Sequence, residues 1–87
     1  MTNVTVNITG GTEQENVTAA TLGDKRWGLN GGAQFGQPLA VAAGDKTLTV
    51  YKTSAPASIA QARNVPDQAN VTFNVTVNQN SIVVAVA

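Results

Sequence analysis

The chain has 87 residues, five basic and five acidic, for a formal net charge of zero, and contains neither cysteine nor histidine. This size fits one domain over 1–87 with a thin core, because so short a chain buries only about 60% of the surface its unfolded form exposes. The missing residue types exclude disulfide staples, thiol chemistry, Ser-His-Asp triads and zinc sites, so the sequence reads as a non-enzyme with no cofactor and no metal.

From the N-terminus, Thr2 to Thr9 alternates polar and apolar, with Val4, Val6 and Ile8 on one face and Thr5, Asn7 and Thr9 on the other. That period of two predicts a half-buried strand. Gly10-Gly11 ends it, Thr12 to Glu15 reads as a polar loop, and Asn16 to Leu22 reads as a second strand. Gly23-Asp24-Lys25-Arg26 is a turn, and Trp27 and Leu29 follow at strand spacing before Asn30-Gly31-Gly32 breaks the pattern. Glycines 28, 31, 32 and 36 surround Trp27 and Phe35, so this loop is either a packed plug or a contact surface, with the plug favoured by the bias of large aromatics toward burial.

Pro38 to Lys52 reads as a β-hairpin turning at Ala43-Gly44-Asp45-Lys46, with Leu39 and Val41 on one arm and Leu48 and Val50 on the other. Thr53 to Asn70 contains Pro56 and Pro66 and reads as a long surface loop, in which Ser54-Ala55-Pro56 before Ala57 to Arg63 has the look of a capped short helix with Pro near its start. Val71, Phe73, Val75 and Val77 then alternate with Thr72, Asn74, Thr76 and Asn78, and Gln79-Asn80 leads into Ile82–Ala87, a second hairpin. Ile82–Ala87 is apolar on both faces, the pattern of a strand covered on both sides by its own fold or by a neighbouring molecule. Six or seven short strands with Gly-rich turns and one long loop predict an all-β fold, a small antiparallel sandwich or barrel.

The remaining chemistry is sparse. Glu13 and Glu15 share one loop and read as solvated acids, too few oxygen ligands for calcium. Gly44-Asp45-Lys46-Thr47 lacks the spacing of a phosphate loop, and the glycines at 28, 31, 32 and 36 lack that of a dinucleotide motif. Lys25, Arg26, Lys46, Lys52 and Arg63 are scattered, which gives no stripe for a nucleic-acid backbone. Asn-x-Thr triplets at Asn3, Asn7, Asn16, Asn70 and Asn74 follow from strands that alternate Val with Asn or Thr, and make uncharged, hydrogen-bonding sheet faces. The first residues lack a basic and an apolar signal region, and no run of 18 apolar residues occurs, so no signal peptide, transmembrane segment or membrane partner is expected. Met1 fits a complete chain made in the cytoplasm.

Gly36 to Lys52, with its strand, Ala-Gly turn and Leu48-Thr49-Val50 return, resembles the central hairpin of PEGA-type and related transthyretin-like β-sandwich modules. Val71 to Val75 is similar to their closing strand, whereas Thr53-Ser54-Ala55-Pro56 replaces the glycine-tyrosine step expected after the hairpin. The resemblance covers about half of the chain and implies a non-catalytic interaction module; it supplies no site residues. In composition the chain is also similar to small phage capsid decoration (cement) proteins.

Near-zero net charge gives little protection against self-association, which suits a subunit of an assembly. The expected function is therefore a structural protein of a virion, made in the host cytoplasm, which decorates a capsid or builds a tail or fibre. Its partners would be capsid protein or like subunits in a homo-oligomer, with termini and apolar edge strands, Ile82–Ala87 and Val4–Ile8, docked on neighbours. Candidate interface residues are Trp27, Phe35, Tyr51, Ile82, Val84 and Val86, with core filling as the competing role for Trp27 and Phe35. The alternative is a carbohydrate- or cell-surface-binding module that uses Trp27 or Tyr51 as a stacking platform.

Overall fold

The computed structural model describes residues 1–28 and 31–87. Eight strands are present among the described residues: β1 (Thr2–Gly10), β2 (Val17–Leu22), β3 (Lys25–Gly28), β4 (Pro38–Val41), β5 (Gly44–Lys52), β6 (Ser58–Val65), β7 (Asn70–Val77) and β8 (Ile82–Val86). A single 3₁₀ turn, Gln14–Asn16, precedes β2. The strands form two four-stranded sheets, ordered β4-β1-β7-β8 and β3-β2-β5-β6. The expected all-β fold is what the chain adopts. Leu29 of the expected Trp27–Leu29 spacing, and Asn30, lie outside the described residues.

Every named strand pair is antiparallel except β1–β7, which is parallel and central to its sheet. Its register sets Asn3 beside Asn70, Val4 beside Val71, Thr5 beside Thr72 and Asn7 beside Asn74. Two near-identical segments, Asn3-Val-Thr-Val-Asn-Ile-Thr9 and Asn70-Val-Thr-Phe-Asn-Val-Thr76, are thus paired in register. Their valines face inward, while Asn7 Nδ2 donates to Asn74 Oδ1 at 3.2 Å on the outer face. A bulge after Ile8 ends the match. Gly11 then passes so close to the Val77 backbone, at φ +102°, that a Cβ there would collide with the Val77 carbonyl.

The core lies between the sheets. Val4, Val6, Val41, Val71, Phe73, Val75, Val77 and Ile82 pack from one sheet against Ala20, Leu22, Trp27, Leu48, Val50 and Val65 of the other. The N-terminus is pinned by the buried Thr2, whose hydroxyl donates to the Pro66 carbonyl, and by the Asn3 N–H donating to Ala69 O at 3.0 Å.

Three expectations change. Residues 38–52 form two strands but no hairpin: β4 pairs with β1, whereas β5 pairs with β2 and β6. The chain crosses between sheets at Ala42-Ala43-Gly44, so Val41 enters the core from one side and Leu48 and Val50 from the other. Residues 53–70 carry an eight-residue strand, β6, where a loop with a helical turn was expected. Its inward positions, Ile59, Gln61, Arg63 and Val65, include two polar residues, which hides the apolar alternation. Finally, β1 is an interior strand, so Val4–Ile8 offers no edge, and Val4 and Val6 are fully buried.

Phe73, fully buried at the centre of this core, is the decisive packing residue. Phe73→Ala is expected to cost about 3–5 kcal/mol in urea unfolding, whereas Val83→Ala, on an exposed position, stays within about 0.5 kcal/mol of the parent.

Candidate functional site: the β6–β8 side

The six candidate contact residues divide sharply. Trp27 is fully buried, and its indole Nε1 donates to the Gln37 carbonyl at 2.8 Å, which seals the loop over the β3–β4 side. Phe35 is half-buried and packs against the core, and Ile82 is 5% exposed and part of it. Trp27 and Ile82 are therefore core residues and offer no contact surface. Val84 is half-buried against the core; Tyr51, at 37%, and Val86, at 56%, are exposed, and Val83, missed in the sequence, is 58% exposed.

Tyr51 sits on the outer face of its sheet, opposite Ala19 and Ser58. Val83 and Val86 lie instead on β8, an edge strand whose exposed residues correct the expectation of a strand covered on both sides by its own fold. Antiparallel pairs alternate between hydrogen-bonded and non-bonded positions. The Ala87–Thr72 pair exchanges both backbone bonds, at 2.9 and 3.2 Å, so Ala85 and Val83 also bond to β7 while Ile82, Val84 and Val86 turn their N–H and C=O outward. On β6, the Lys52 N–H donates to Ala57 O at 2.8 Å, which by the same alternation turns the backbone groups of Ser58, Ala60, Ala62 and Asn64 outward.

These two edges border the same side of the sandwich and are tied together. Gln61 Nε2 donates to the Ile82 carbonyl at 3.4 Å, and Arg63 Nη2 to the Val84 carbonyl at 3.1 Å, while Arg63 Nε donates to Gln61 Oε1 at 3.1 Å. Inward-pointing polar side chains of β6 thus occupy two of the outward carbonyls of β8, a device that restrains edge pairing. Among the described residues no such device covers the backbone of β6, whose outward residues are small or neutral. An eight-residue edge without proline or bulge is a template for another strand.

A second polar cluster closes the end of the sandwich where β1 and β5 finish and β7 turns into β8. The Lys52 side chain has no exposed surface; its Nζ donates to the Gln79 carbonyl at 2.7 Å and lies 3.6 Å from Glu13 Oε1. Glu13 also accepts from Ser54 Oγ at 2.9 Å and Asn16 Nδ2 at 2.7 Å. It is therefore no solvated loop acid: its carboxylate is 15% exposed. The Ser54 and Asn16 hydrogen bonds hold its pKa below the ordinary value, with the Lys52 charge assisting against the opposing effect of burial. Lys52 was legible in principle, since it continues the inward series Leu48, Val50, Lys52. Among the described residues, no group of three or more His, Cys, Asp or Glu side chains gathers to hold a metal.

A carboxylate whose folded pKa is depressed stabilises the fold above its unfolded value and loses that contribution as pH falls through the folded one. Stability is therefore expected to decline as pH drops below about 4.5. Glu13→Gln should lower the urea midpoint at pH 7, since it removes the carboxylate around which this closed end is hydrogen-bonded, and should flatten the decline between pH 5 and the acid range as measured by urea titration.

Comparison with protein-family models, with curated proteins and with solved structures gives no significant match to this chain.

Proposed function

We propose that this chain is a non-enzymatic structural protein of a larger assembly, a virion component of the capsid-decoration or tail and fibre kind, which docks like subunits or capsid protein along its β6–β8 side. The observation that carries this reading is the pair of stacked edges: an eight-residue β6 with outward backbone groups, beside a β8 that exposes Val83 and Val86. Strand addition supplies affinity through main-chain hydrogen bonds, and the exposed valines supply apolar area. Zero net charge adds no repulsion between copies. The virion assignment rests on the compositional likeness alone, and the resemblance to transthyretin-like modules adds nothing to it, because its central hairpin at 36–52 is divided here between the two sheets.

Light scattering over a dilution series tests the docking side. The parent chain is expected to associate, and Ala60→Pro with Val86→Pro to remain folded and monomeric, because both prolines remove outward N–H groups and spare the ladders to β5 and β7. An unchanged oligomer in the double variant would place the contact elsewhere. Mass spectrometry of particles purified from the source tests the virion assignment, which fails if the chain occurs only outside them.

The exposed ring of Tyr51 favours a second reading, a carbohydrate- or cell-surface-binding module with this residue as the stacking platform. On that reading Tyr51→Ala abolishes retention on immobilised polysaccharide while leaving the scattering mass unchanged.

A further inference from the structure

The Lys52 cluster contains more than a buried ion pair. Glu13 stands between a buried primary amine and a side-chain amide: its Oε1 faces Lys52 Nζ at 3.6 Å, and its Oε2 accepts from Asn16 Nδ2 at 2.7 Å. The Thr53 N–H donates to Asn16 O at 2.9 Å, which fixes the Asn16 backbone beside the Lys52–Thr53 peptide. The Lys52 side chain has no exposed surface and its outer reach is set by the Gln79 carbonyl at 2.7 Å, so the amine is held in one place rather than sampling solvent. A buried amine, a side-chain amide, and one carboxylate that lies 3.6 Å from the first and accepts a hydrogen bond from the second are the groups that amide exchange requires.

We propose that Lys52 and Asn16 join through an intramolecular isopeptide bond, with Glu13 as the proton carrier. Lys52 Nζ, relieved of a proton by Glu13, attacks Asn16 Cγ. The Nζ–Cγ bond forms and the Cγ–Nδ2 bond breaks. Of the three ammonium protons, one stays on the new amide nitrogen and two pass in turn through Glu13 to Nδ2, which leaves as ammonium. Charge balances and nothing is oxidised or reduced. Glu13 serves as base toward the nucleophile and as acid toward the leaving group, the two roles its two oxygens face. The product ties the β1–β2 connection to the end of β5, a covalent staple in a chain that has no cysteine to make one.

Intact-mass measurement on the folded full chain tests this directly. The expected mass is one ammonia below that of the sequence, and trypsin should release a branched peptide that joins residues 1–25 to residues 47–63, uncut at Lys52. Glu13→Gln and Asn16→Ala, each checked for β-sheet circular dichroism, should both show their full sequence mass. A full-mass parent chain overturns the proposal whether or not the variants fold. So does an ammonia deficit that fragmentation confines to the 1–25 peptide, which would be cyclic imide formation at an asparagine. A deficit that persists in Glu13→Gln overturns the proton-carrier role.

Discussion

The parallel pairing of β1 with β7 is the constraint on which the rest of the molecule depends. It joins residues near opposite ends of the chain, Asn3 with Asn70 and Asn7 with Asn74, and places both strands at the centre of one sheet. Parallel neighbours cannot be joined by a tight turn, so everything between them must leave the sheet and return. The intervening chain does so by building the second sheet, β2, β3, β5 and β6, and by sending β4 back to the free side of β1. Closing so long a loop costs chain entropy before any contact repays it, which makes apolar pairing along β1 and β7 the interaction that holds the two ends together.

The two open sides of the sandwich are finished differently. On the β3–β4 side, short strands and the loop that carries Phe35 close over Trp27, and the indole N–H is satisfied by Gln37. On the other side, the eight-residue β6 and the five-residue β8 are joined by side chains, Gln61 and Arg63 reaching to the carbonyls of Ile82 and Val84. The first side spends its aromatic residues on the interior. The second keeps its backbone groups and valines for a neighbour, at the cost of an aggregation hazard that the two inward polar side chains reduce.

Much of this was legible in the residues, where one physical rule acted alone. Strict alternation located β1 and β7, because each has one apolar face and no competing signal. The rule failed where an inward position is polar for a tertiary reason: Gln61 and Arg63 cap a neighbouring edge, and Lys52 carries its charge into a closed network, so β6 read as loop and the Lys52 cluster went unseen. The proposed hairpin at 38–52 failed for another reason, since alternation defines faces and says nothing about which strand lies alongside. Size favours Trp27 as a plug yet leaves it among the candidate contacts, and only the structure makes it core; Ile82 enters the same list because the inward register of β8 is fixed only by its pairing with β7.

The register also gives the molecule a direction. Asn3 lies beside Asn70 and Ala87 beside Thr72, so the first and last residues emerge together from one end of one sheet. The Lys52 network, with Glu13, Ser54 and the β7–β8 turn, closes the opposite end. Anything fused to either terminus therefore hangs from the same pole and leaves the other facing outward. A pull applied between the two termini loads β1, β7 and β8 crosswise, opening their hydrogen bonds one after another like a zip, so the fold is built to be held from one end and is poorly suited to bearing tension through its own chain.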